Sequence, residues 1–166
     1  MGCLTQNYSN NCAVKTIGGL RTVYIASKTD VTGVTGGNGS PVTAVTMDGS
    51  TTFYKFEFRR DEASFEETSQ ANGSVTQTLN FNVRGRSQDL RNRIQELIDC
   101  TCGLVIIHVE NTGDSWIWGF EDSEEAYWGE GTGGSGLAKT DPNQEVINLV
   151  ASATEKCNTF TGTPPL

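Results

Sequence analysis

Val75-Thr76-Gln77-Thr78-Leu79-Asn80-Phe81-Asn82-Val83-Arg84 is the stretch on which the fold turns. Its odd positions are mostly apolar and its even positions are all polar. Successive side chains of an extended chain point to opposite sides, so this pattern predicts a strand with one buried and one wet face. Just upstream, Asn72-Gly73 is a hairpin turn signal, because both residues accept a positive φ. It joins the strand to a Glu-rich segment, 61–70, that reads as its partner. Earlier still, residues 52–59 alternate again: Tyr54, Phe56 and Phe58 share one side, and Lys55, Glu57 and Arg59 the other. Two or three antiparallel strands of this kind form a sheet that faces water on one side only.

Downstream, residues 87–99 read as the one helix. Leu90, Ile94, Leu97 and Ile98 give a single apolar stripe, Ser87 suits the N-cap and Asp89 the positive end of the helix dipole. The run Leu104-Val105-Ile106-Ile107-His108-Val109 reads as a central strand. Residues 111–114 turn the chain, and 115–120 pair back with Trp116, Trp118 and Phe120 expected on one face. Residues 129–136 read as a flexible Gly-rich loop, 145–154 as a last strand and 161–166 as a frayed tail. On the other side, 20–27 reads as a strand. Residues 28–52 read as a weakly structured excursion holding Gly33, Gly36, Gly37, Asn38, Gly39, Ser40 and Pro41, with 41–47 able to form one arm of a long hairpin. The expected architecture is mainly β, an antiparallel sandwich or barrel with one α-helix packed on it, as a single domain over 1–166.

The composition agrees. Only 36% of the 166 residues are hydrophobic, while 19 Gly and many Thr, Ser and Asn suit strands and turns. The net charge of −8 opposes tight binding of nucleic acid but permits a channel through which DNA slides. No run of 18 apolar residues exists, so no membrane insertion is expected, and the start lacks the basic and apolar regions of a secretory signal. Synthesis in cytoplasm is therefore expected, with Cys3, Cys12, Cys100, Cys102 and Cys157 reduced there and their later pairing open.

No reactive constellation stands out, so no enzyme, cofactor or metal is expected. His108 is the one histidine and lies inside an apolar strand, where it would have to serve any Ser-His or Cys-His arrangement. Cys100-Thr101-Cys102 has one intervening residue where a zinc knuckle needs two. Gly129-Glu130-Gly131-Thr132-Gly133-Gly134 matches a dinucleotide fingerprint in letters, but no amphipathic helix follows it and Glu130 opposes phosphate. Glu121, Asp122, Glu124 and Glu125 lack the ligand spacing of a calcium loop, and nothing marks Glu62, Glu66 or Glu67 as a glycosidase acid. Trp116, Trp118 and Trp128 offer one rival reading, a carbohydrate- or ligand-binding β-sandwich such as a baseplate or neck accessory module, which needs those rings in water.

The order of landmarks resembles the bacteriophage tail-tube (major tail) protein family. Cys3 and Cys12 precede Gly18-Gly19-Leu20-Arg21-Thr22-Val23-Tyr24-Ile25-Ala26; then come 52–58, Ser64-Phe65-Glu66-Glu67-Thr68, Asn72-Gly73, the strand 76–83, the helix, 105–110, Asn111-Thr112-Gly113-Asp114 and the Gly/Thr/Ala-rich stretch before Asp141. The resemblance spans about Cys3 to Phe160; residues 150–160 depart from it in being more polar and Cys-bearing, which leaves open a subunit of the neck or baseplate. It implies a virion protein, assembled in the host cytoplasm into hexameric rings that stack into the tube through which DNA is ejected. Strands of neighbouring copies would join in a β-barrel around the lumen, with the helix outside. Its partners would be copies of itself, other tail proteins (sheath or neck, baseplate, tape measure) and, in passing, DNA. The wet positions Lys55, Glu57, Thr76, Thr78, Asn80 and Asn82 are then the lumen-lining candidates. Gly33, Gly36, Gly37, Asn38, Gly39 and Ser40 are the candidates for contact with the next ring, and Tyr54, Phe56, Phe58, Leu79 and Phe81 should pack on Leu90, Ile94 and Leu97.

Overall fold

The central strand is apolar on both sides, so both of its faces must be covered, and the architecture follows from that need. In the structure, a computed structural model that describes residues 18–58, 61–141 and 143–166, this strand is β7 (Leu104–Glu110). Cys3, Cys12 and Arg59, named above, lie outside the described residues. β7 is the middle member of a five-stranded sheet ordered β11-β8-β7-β1-β4, with β1 Leu20–Ser27, β4 Tyr54–Glu57, β8 Ser115–Trp118 and β11 Asn158–Thr159. A second sheet, ordered β5-β6-β10-β9, is built from β5 Ala63–Ser69, β6 Val75–Arg84, β9 Tyr127–Gly134 and β10 Gln144–Ala153. All pairings within these sheets are antiparallel. The fold is thus mainly antiparallel β, a sandwich with a single helix among the described residues.

One face of β7 looks into the sandwich. Leu104 and Ile106 join Val23, Ile25 and Trp118 from their own sheet and Leu79, Phe81, Ile147 and Leu149 from the other. Helix α1 (Gln88–Asp99) contributes Ile94 and Leu97 to this cluster, with Leu90, Phe56 and Phe58 at its border. Phe56, Phe58, Leu79 and Phe81 thus share one apolar cluster with the helix residues, as expected. Tyr54 instead stays 60% exposed, because it ends β4 at the sheet's margin. Ile98 falls off the expected apolar stripe and is 42% exposed. Ser87 caps α1 as expected, its Oγ accepting from the Leu90 N–H at 3.1 Å.

The other face of β7 is covered by a hairpin of β2 (Val31–Gly37) and β3 (Ser40–Met47). Its Val31, Val42 and Val45 pack with Ala26, Val105, Ile107, Ile117, Phe120, Phe53 and Phe160. The excursion 28–52 is therefore an ordered layer, and it turns at Asn38 and Gly39, which take φ values of 52° and 80°. The segment 161–166, expected to fray, is tied down: Thr161 N–H donates to the Val42 carbonyl and Phe53 N–H to that of Pro165, both at 2.9 Å.

Two further expectations need correction. Residues 129–136 are mostly strand, since β9 pairs with β10 from Gly134 opposite Gln144 to Tyr127 opposite Val150. Its glycines make room rather than flexibility: a Cβ on Gly131 would lie 2.3 Å from the Trp128 ring, and one on Gly133 2.1 Å from the Glu145 carboxylate. Secondly, Trp118 and Phe120 do not share a face. Gly119 between them has φ +78°, which breaks the alternation, so that Trp118 enters the sandwich and Phe120 lies under the hairpin.

Phe160 anchors the late part of the chain under the hairpin and is 5% exposed. Phe160→Ala should lower the unfolding free energy by about 3 kcal/mol, measured by urea denaturation. A loss within experimental error would show that this segment is not core.

Candidate assembly surface

The outer face of the four-stranded sheet is built by register. Ser64 lies opposite Asn80, Asn80 opposite Asn148, and Asn148 opposite Glu130. The neighbouring rows are Glu66-Thr78-Val150-Tyr127, Thr68-Thr76-Ser152 and Asn82-Val146-Thr132. Asn148 Nδ2 donates to Asn80 Oδ1 at 2.6 Å, tying β10 to β6 through side chains. The face carries hydroxyls and amides, with Val146, Val150 and Tyr127 set among them and carboxylates at Glu66 and Glu130. Among the strand positions of this face, Arg84 is the sole base, and it is neutralised by an ion pair with Glu62. Alternate residues Val75, Gln77, Leu79 and Phe81 are buried on the inner side.

Thr76, Thr78, Asn80 and Asn82 thus stand together, as their alternation predicts. Lys55 and Glu57 do not join them. They lie on β4 opposite Tyr24 and Thr22, at the margin of the five-stranded sheet, and pair with one another. That hydrogen bond to Glu57 raises the Lys55 ammonium above its ordinary pKa. The sequence reading missed Asn148, Ser152, Thr132, Glu66 and Glu130. Asn148 and Ser152 repeat the two-residue period of β6, but the apolar Val146 and Val150 between and beside them mask it.

Among the described residues both margins of this sheet are open: β5 pairs only with β6, and β9 only with β10. Because four strands alternate in direction, β5 and β9 run opposite ways. A copy placed beside another can therefore set its β9 antiparallel to the neighbour's β5, with no break in the ladder. Unpaired edges of this length, seven and eight residues, are templates for further pairing.

The hairpin candidates are held by their own chain. Gly33 sits within β2, and a Cβ on Gly36 would meet the Pro41 carbonyl at 2.2 Å. Gly37 packs on the Phe120 ring, and Gly39 N–H donates to Asn158 Oδ1 at 3.2 Å. The Asn38 amide nitrogen, turned toward Glu155, meets its oxygens at 3.0 and 3.3 Å. Ser40 is exposed at the start of β3.

His108 is fully buried, its ring 4.2 Å from that of Phe65, and its Nδ1 accepts from Trp118 Nε1 at 3.2 Å. The proton therefore sits on Nε2, which has no partner among the described residues, and burial pushes the imidazole pKa down to about 3. Beside it a recess of about 290 Å³ is lined by Phe65, Glu67, Trp116, Lys156 and Cys157. Burial, with the Glu67 and Glu110 carboxylates nearby, raises the Cys157 thiol far above its ordinary pKa, so it is no nucleophile. Cys100, Cys102 and Cys157 form no disulfide among the described residues. The acidic cluster is dispersed: Asp122 pairs with Lys28 at 3.3 Å, and Glu124 accepts from the Thr154 N–H and hydroxyl at 2.9 and 2.7 Å. Among the described residues no three His, Cys, Asp or Glu are grouped to hold a metal ion, and no helix is long and apolar enough to cross a membrane. Trp118 is 1% exposed, and Trp116 and Trp128 are half-buried, so the three rings form no common platform in water. Comparison with known proteins adds no relative: no family model, curated protein or solved structure matches the chain.

His108 gives a pH test. Its folded pKa lies below the ordinary 6.5, so the unfolded chain binds the extra proton between those values. Stability should be complete above pH 6.5 and fall as pH drops toward 3, by about 1.4 kcal/mol per unit from this group. His108→Gln, which keeps an acceptor for Trp118, should show a shallower loss between pH 6.5 and 5 in urea titrations. Parallel slopes for the two proteins would refute the assignment.

Proposed function

We propose that the chain is a structural subunit that assembles with copies of itself into stacked, hexameric rings forming the tube of a bacteriophage tail. The observation that carries this reading is the four-stranded antiparallel sheet with a largely polar outer face and, among the described residues, two open margins of opposite direction. Joining such sheets side by side satisfies the exposed N–H and C=O groups of β5 and β9, and closure removes every edge. The interface is head-to-tail, so it closes by rotation into a ring. Six copies give about 24 strands. At about 4.8 Å between strands and about 40° of tilt, the wall measures roughly 48 Å across, wide enough to pass a DNA duplex.

The surface chemistry suits that role. A lumen of Thr, Asn, Ser and Glu offers DNA no fixed cation, so nothing releases counterions and nothing stalls the polymer. The helix and the five-stranded sheet form the outside, where sheath, neck or baseplate proteins would bind, while a tape-measure protein would fill the lumen before DNA does. The rival reading, a carbohydrate-binding sandwich, is disfavoured by the burial of Trp118.

Negative-stain microscopy of the concentrated protein should show rings and tubes with a central hole. Monomers at every concentration and salt would refute the proposal. A second measurement addresses the lumen face: tubes carrying Thr78→Lys and Asn80→Lys should retain added duplex DNA at low salt and release it steeply as salt rises. Unaltered tubes should retain none. Equal retention by both would show that this face does not line the hole.

A further inference from the structure

Asn-Gly-Ser occurs twice in the chain, at 38–40 and at 72–74, and each copy lies at the turn of a hairpin. In this order of residues an asparagine can lose its side-chain nitrogen without an enzyme, because glycine leaves the peptide nitrogen that follows unhindered. The two copies share the same covalent chemistry, so a difference in their reactivity is made by the fold.

Asn72 lies in the connection between β5 and β6 and is exposed, as is Gly73. Its Oδ1 accepts from the Ser74 N–H at 3.1 Å and from the Ser74 hydroxyl at 2.8 Å. The first of these bonds closes an Asx turn, which folds the side chain back over the Gly73 peptide group. The carboxamide carbon is thereby kept beside the Gly73 nitrogen. Both donors also sit on the oxygen that gains negative charge when that carbon is attacked, which is the arrangement of an oxyanion hole. Around Gly73 the space is open: a Cβ there would meet nothing within 4 Å. The Gly73 N–H donates to the Gln70 carbonyl at 3.0 Å. An exposed turn releases such a bond by local opening.

Asn38 is held in the opposite way. Gly37 pairs with Ser40 across it, so only Asn38 and Gly39 form the turn. The Asn38 amide nitrogen, turned toward Glu155, lies 3.0 and 3.3 Å from the two carboxylate oxygens. The Gly39 N–H is bonded to Asn158 Oδ1 at 3.2 Å. The nitrogen that would leave and the nitrogen that would attack are thus both engaged with segment 155–158.

We infer that Asn72 is a site of spontaneous deamidation, with Ser74 donating to the reacting carbonyl, and that Asn38 is protected by its ties to Glu155 and Asn158. In the reaction the Gly73 nitrogen gives its proton to solvent and bonds to Asn72 Cγ. The Cγ–Nδ2 bond breaks, and Nδ2 leaves as ammonia after taking a proton from solvent. Water then opens the succinimide at either carbonyl, which yields aspartate or isoaspartate, and nothing is oxidised or reduced. Each event adds negative charge at the end of the β5 margin. Isoaspartate also lengthens the backbone of the turn that sets the β5–β6 register. The site stands independently of the tube reading.

The test incubates the full chain in heavy-oxygen water at mildly alkaline pH, both folded and in urea. Peptide mass spectrometry then reads the labelled product at positions 38 and 72. The rates in urea, where the two tripeptides are equivalent, serve as the reference. Relative to them, position 72 of the folded chain should react about fivefold faster than position 38. Equal relative rates, or a faster reaction at position 38, would overturn the inference. Ser74→Ala removes the hydroxyl donor and keeps the N–H. It should slow position 72 of the folded chain about threefold against its own rate in urea, and leave position 38 unchanged. A ratio at position 72 that does not move would overturn the part given to Ser74.

Discussion

The two-sided burial of β7 is the constraint on which the molecule depends. Alternate residues of this strand enter two separate apolar clusters, Leu104 and Ile106 on one side and Val105 and Ile107 on the other. A sheet with a strand of this kind cannot stand with one face in water. The chain meets the need with two covers of unequal character. The inner cover is the four-stranded sheet, which brings its own wet face. The outer cover is the β2–β3 hairpin, a layer too thin to have a core of its own. The low hydrophobic content follows from this division, because apolar residues are concentrated in one middle layer and the covers show polar surfaces to water.

The parts of the fold that were legible in the sequence are those where one face is wet and the other dry. β6 announces itself because its period of two is nearly unbroken, and α1 because its cap and stripe agree. β7 was legible as central because a strand covered on both sides reads as a continuous apolar run. Glycine defeated the reading at β9. A Gly-rich run has the letters of a loop, and only the Trp128 and Glu145 side chains, lying where Cβ atoms would be, explain why it is a strand. At Gly119 one positive φ reverses the side on which Phe120 emerges, which no periodicity reveals.

The candidate surface was legible by half for a related reason. Alternation assigns a residue to a wet face without saying which sheet that face belongs to. Lys55 and Glu57 alternate as well as Thr78 and Asn80 do, yet they sit on the opposite sheet. The excursion 28–52 was legible as a hairpin but not as a cover, since the residues it covers lie far along the chain. His108 shows the same limit in reverse. Its place in an apolar strand says that it is buried and no more; one nitrogen accepts from Trp118 and the other has no partner among the described residues.

The outer cover depends on both early and late parts of the chain. Gly39 bonds to Asn158 and Thr161 to Val42, each across 119 residues of sequence. During synthesis, β1, β7 and β8 can emerge and pair while the clamp that closes over Val105, Ile107 and Ile117 is still unfinished. An intermediate whose apolar side stays open therefore persists until residues 158–161 are made, and long-range closure of this kind is slow.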